Sequence, residues 1–152
     1  EMIRDHPLFG VGPGNVKEVY PLYRKDDAPR FTVPHLHSNP VQIWAERGIL
    51  ALVAWILLIA LFLREAIRLR RAGGSRPWLD GGIAAAVALT VAGLFEFNFG
   101  DTEVLLTMLD VWALTLVVGG TAATAAESGR FGVLESGVLE SGVGRGVLES
   151  GS

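Results

Sequence analysis

Cysteine is absent from the 152-residue chain. That removes any disulfide framework and any thiolate metal site, and it leaves the redox compartment unread. Charge is also scarce. Asp, Glu, Lys and Arg together make up 19% of the residues, against roughly 25% in soluble domains. The shortage is local: residues 1–47 and 64–80 carry most of the charge, and long apolar runs lie between them. Half of the residues are hydrophobic, and mean hydropathy is positive at +0.40. A bilayer demands this distribution, and a soluble domain does not need it. The net charge of −3 says little about orientation, which follows local Arg and Lys. No nucleic-acid signature is present, because topology explains the basic cluster. There is no signal peptide and no initiator Met. We therefore read the chain as the C-terminal, membrane-embedded part of a larger protein.

Residues 1–39 are polar and broken by Pro and Gly, as expected of an irregular loop. A helix start follows, with Ser38 or Asn39 as N-cap, Pro40 at the first helical position, and Gln42 three residues after Asn39. Three apolar segments predict transmembrane helices over 40–63, 80–98 and 104–125. The second is rich in Ala and Gly, as packed membrane helices are. The expected fold is therefore all-α and integral to the membrane: the last helices of a polytopic bundle behind a periplasmic or extracellular loop, residues 1–39. The loop with Arg64, Arg68, Arg70, Arg71 and Arg76 should be cytoplasmic by the positive-inside rule. The Glu96–Glu103 connector then lies on the same side as residues 1–39. Residues 127–152 repeat Gly-Val-Leu-Glu-Ser from Gly132, Gly137 and Gly146, and are expected to be a disordered cytoplasmic tail.

The chemistry concentrates between His35 and Gly48. His37 precedes a helix N-terminus, where free N–H groups and the positive dipole end attract anions such as phosphates. That position favours a neutral imidazole able to accept a proton, which suits a general base. Gln42 and Glu46 are four apart and share one helix face, which begins near His37 at Asn39. The residues alone favour a surface-loop histidine above a solvated interface, because helix mouths are commonly polar. His35 and His37 also form His-x-His, with His6, Asp26 and Asp27 nearby in sequence, a short zinc-like pattern. Gly10, Gly12 and Gly14 have no strand before them and no βαβ unit after, so a turn explains them better than a nucleotide loop. Asp110 interrupts the third apolar segment, and function and bundle packing explain it equally. Trp44, Trp55, Trp78 and Trp112 fit interface anchoring or packing.

The segment resembles the O-antigen ligase and polymerase family of bacterial inner-membrane proteins. The family's signature is His, then Asn, Ser or Gln, nine residues, Gly, two residues, then Gly, Thr or Tyr. Here it reads His37, Ser38, Asn39 to Arg47, Gly48, Ile49, Leu50 and Ala51, with Ala in place of the last small residue. The run from Asp5 to Gly14 and the stretch from Gln42 to Gly48 are similar to the family too, and the resemblance extends over about residues 1–120. It implies transfer of a glycan from an undecaprenyl-diphosphate donor to a lipid or glycan acceptor, within membrane lipids, without metal or cofactor. Ligases and polymerases share the domain and differ in acceptor. The family's catalytic His falls on His37. The resemblance places Ser38, Asn39, Gln42 and Glu46 beside the substrate; Arg30 and Arg47 enter only by their nearness to His37. The family's diphosphate-binding arginines are expected upstream of Glu1, so this piece should be inactive alone. The rival reading is a non-catalytic membrane protein, a transporter or assembly subunit, with Asp110 and Glu96 lining a pathway.

Overall fold

The computed structural model describes residues 1–26, 28 and 31–146. Among these the regular structure is wholly helical: α1 Met2–Asp5, α2 Val16–Tyr23, α3 Asn39–Arg71, α4 Arg76–Ala92 and α5 Thr102–Gly146. Two helices are long and apolar enough to cross a membrane, α3 and the Thr102–Ala125 part of α5. Only 22% of each apolar window is buried within the chain. A soluble protein would hide such helices in its core. Here Leu50, Leu57, Leu61 and Val117 face outward, which suits lipid or neighbouring helices.

The three long helices pack on one another through a cluster of Phe62, Ala66, Leu69, Leu79, Ala86, Met108, Trp112 and Ala123. Phe62 and Trp112 stack with ring centroids 4.3 Å apart and planes 7° from parallel. Gly82 lies against Thr115, and a side chain there would collide with it. The small residues of α4 thus serve close helix approach, as their composition predicts.

The helix bounds differ from those expected. The first helix runs past residue 63 to Arg71 because no Gly or Pro lies between Leu63 and Gly73. It ends in a Schellman turn: Gly73 takes a φ of 91°, and the Gly74 N–H reaches the Leu69 carbonyl at 2.9 Å. Arg68, Arg70 and Arg71 occupy its last turn, where cations complement the dipole. The second helix begins earlier than residue 80, with Ser75 as N-cap and Pro77 in its first turn. It stops at Ala92, short of residue 98, because the Gly93 carbonyl is taken by the Asn39 N–H at 2.6 Å. α5 stays helical to Gly146, past residue 125 and into the segment expected to be disordered.

Candidate functional site

The site is built around a break in α3. Gly48 has φ 78° and ψ −179°, a region essentially confined to glycine. The break frees backbone groups that a continuous helix would pair internally. The Pro7–Gly14 loop takes them up. The Val11 N–H donates to the Ala45 carbonyl at 2.8 Å, and the Gly12 N–H to the Glu46 carbonyl at 2.9 Å. In return the Ile49 N–H donates to the Pro7 carbonyl at 2.9 Å. Trp44 adds its indole N–H to the same carbonyl at 3.1 Å. Contact is so close that a Cβ at Gly48 would overlap the Leu8 carbonyl, and one at Gly10 would overlap the backbone of Glu46 and Arg47. Both glycines therefore serve a backbone-to-backbone clamp.

The polar face of α3 is turned inward. Gln42 and Glu46 are 1% and 8% exposed. The Gln42 side-chain amide accepts the Leu36 N–H at 2.6 Å and donates to Glu46 Oε1 at 2.7 Å. Glu46 Oε1 also accepts the Gly14 N–H at 3.1 Å. One hydrogen-bonded line thus runs from Leu36, just before His37, through α3, to the glycine turn. Asn39 is equally buried. Its Oδ1 accepts the N–H groups of Asn98 and Phe99 at 3.0 and 3.1 Å, and its Nδ2 donates to Asn98 Oδ1 at 2.8 Å. Asn39 therefore ties the start of α3 to the turn between α4 and α5.

That tie brings Glu96 to His37. The His37 Nδ1 lies 3.2 and 3.3 Å from the two Glu96 oxygens. Hydrogen bonding from His37, and then from the Phe97 N–H at 3.1 Å, holds the Glu96 carboxyl below its ordinary value, against a smaller desolvation effect. With its proton on Nδ1, His37 donates to the carboxylate and leaves Nε2 as an acceptor. The His37 side chain is 62% exposed, so that acceptor is open to a reactant. His35 sits alongside, its ring centroid 5.2 Å from that of His37.

The expected site residues therefore separate. His37 is open and paired. Ser38 is the N-cap of α3, with no side-chain capping bond. Asn39, Gln42 and Glu46 hydrogen-bond to surrounding backbone, to one another and to Asn98. Glu46 and the exposed Arg47 also line a cavity of about 200 Å³ with Trp55, Phe97 and Phe99. Arg30 lies outside the described residues. Asp110 is exposed on α5 and makes no ion pair among the described residues. Glu96 enters the sequence reading as a connector residue and, in the rival reading, as part of a pathway, but not as a partner of His37. The signal that finds it is topological: the connector after the second helix returns to the end of the helices where His37 lies.

The geometry is that of a helical membrane segment with a histidine–carboxylate pair at one end of its helices. Residues 1–56 match the family model described as O-antigen ligase, Wzy_C. This bears out the resemblance over the stretch that holds the clamp, the buried polar line and His37, and it supports a glycosyltransferase-like role in cell-envelope polysaccharide. No curated protein matches the chain.

Proposed function

We propose that the segment carries the base for glycan transfer from an undecaprenyl-diphosphate donor to a lipid or glycan acceptor. His37 Nε2 takes the proton of an acceptor hydroxyl. The oxygen bonds to the anomeric carbon, and the bond from that carbon to the diphosphate breaks, its electron pair leaving with the phosphate. Glu96 holds the ring by Nδ1 and stabilises the imidazolium that forms. The observation that carries this reading is the Glu96-paired yet open His37 within the family-matched segment. Ser38 adjoins His37 in the chain, and Arg47 and Arg30 are suited by their guanidinium forks to a diphosphate. Asn39, Gln42 and Glu46 act by positioning His37. The His37 end faces the periplasm, and the arginine loop and tail face the cytoplasm.

The test is the envelope glycan profile of a host carrying the full-length gene with His37→Ala, beside wild type and a deletion. The variant should match the deletion while still reaching the membrane. Polymer left on the carrier lipid marks a ligase, and single capped units a polymerase. A wild-type profile would remove His37 from the chemistry and favour the transporter or subunit reading.

A further inference from the structure

His35, His37 and Glu96 have one unexplained feature. His35 Nδ1 is buried and has no hydrogen-bond partner. Such an atom should find one. Its charged neighbour is Glu96 Oε1 at 3.7 Å, the same oxygen that lies 3.3 Å from His37 Nδ1. The edge of a tetrahedron around zinc, with bonds of about 2.0–2.1 Å, is roughly 3.3–3.4 Å. Two of the three edges are therefore near that length already. The potential ligand atoms of all three residues fall within 4.8 Å of one another. Closing the remaining edge takes a rotation of His37, whose side chain is exposed. Two imidazoles with one carboxylate suit a zinc-type ion and not magnesium or calcium. Water would complete the fourth position.

We propose that His35, His37 and Glu96 form a site for a divalent transition-metal ion of the zinc type, and that its occupancy switches the base off. The second half rests on the proton-accepting role proposed for His37. A neutral imidazole has one lone pair and one N–H. When Nδ1 gives its lone pair to the metal, the proton resides on Nε2, and Nε2 can no longer accept another. The Glu96 carboxylate is drawn to the metal in the same step. Metal binding and proton acceptance are thus mutually exclusive at one ring. The ligand set differs from the His-x-His pattern with His6, Asp26 and Asp27, because the third ligand comes from the α4–α5 turn.

The experiment is calorimetric titration of zinc chloride into the full-length protein in detergent, with magnesium chloride as control. Cobalt substitution then reports coordination geometry by its visible absorption. One zinc per chain is expected, and none of the magnesium. His35→Ala, His37→Ala and Glu96→Gln should each weaken binding by at least about tenfold, since losing even a group that only orients a ligand costs that much. His35→Ala should retain transfer and escape zinc inhibition, which wild type should show. Zinc binding unchanged in all three variants, or no binding in wild type, would overturn the site. Binding that is lost in the variants but leaves wild-type transfer intact would overturn the switch. Because binding is read without turnover, its failure is distinct from failure of the transfer reading, which the His37→Ala glycan profile decides.

Discussion

Replacing Gly48 by Ala tests the architecture at its hinge. At φ 78° and ψ −179°, a side chain costs about 1–3 kcal/mol from backbone strain alone. The added methyl would also lie on the Leu8 carbonyl and 2.6 Å from the Phe9 nitrogen. Both are backbone atoms, so the loop must move away and cannot simply re-pack. Moving it breaks the Ile49–Pro7 and Gly12–Glu46 hydrogen bonds, at about 0.5–1.5 kcal/mol each. The sum is about 2–6 kcal/mol. Ala is a better helix former than Gly, so α3 gains a way out: it closes its own ladder and expels the loop. Hydrogen exchange on the full-length protein in detergent should therefore show the Val11 and Gly12 amides losing protection by more than about tenfold, since every 1.4 kcal/mol is a factor of ten. The Ile49 amide should keep much of its protection, because the repaired ladder supplies a partner. Glycan transfer should fall with the loop. Unchanged protection at Val11 and Gly12 would refute the clamp.

Two further outcomes follow from the same contacts. Asn39→Ala removes three hydrogen bonds and strands the Asn98 and Phe99 N–H groups, so it should destabilise the α3 to α4–α5 junction by about 2–4 kcal/mol; Asn39→Asp keeps the acceptor and should lose less, both read as melting temperature in detergent, and an unaltered melting temperature for the Ala variant would contradict the assignment. The Glu96 carboxyl is held low by His37, so the contact is fully present above the ordinary carboxylate value near roughly 4.3 and is lost as pH falls through the lowered folded value; carboxylate NMR should place the wild-type midpoint below that value and move it up in His37→Ala, and an unmoved midpoint would mean that the pair does not form.

Fold class was legible because apolar run length and basic-loop position are read directly from residues. Helix ends were less so. Arg64 to Arg71 look like a loop by charge, yet helical backbone tolerates arginine well, and only Gly73 ends it. Ala92 ends α4 for a tertiary reason, the Asn39 contact with Gly93, which no local pattern announces. The shared face of Gln42 and Glu46 was visible from their spacing, but its burial was not, because helix mouths are commonly polar and wet. His37 stood out through its place before a helix N-terminus. Glu96 did not, since 59 residues separate it from His37 and only the hairpin of α3 and α4 brings them together.

The spacing of the signature now has a physical account. His37 and Gly48 do different work, and the nine residues from Asn39 to Arg47 set the distance between them. Gly48 opens α3 so that the Pro7–Gly14 loop can be held by backbone alone. Gln42 lies one turn before Glu46 and passes that constraint back to Leu36, His37's immediate neighbour in the chain. Inserting a residue between 42 and 46 would rotate Gln42 away from Glu46 by about 100°, since a helix advances 3.6 residues per turn. The line from Gly14 to Leu36 would then part even if every side chain were retained. A histidine required only as an exposed base would not need that spacing. One whose ring must sit against Glu96 from the α4–α5 turn does, because Asn39 fixes the turn to the same first turn of α3 that Gln42 fixes to the loop.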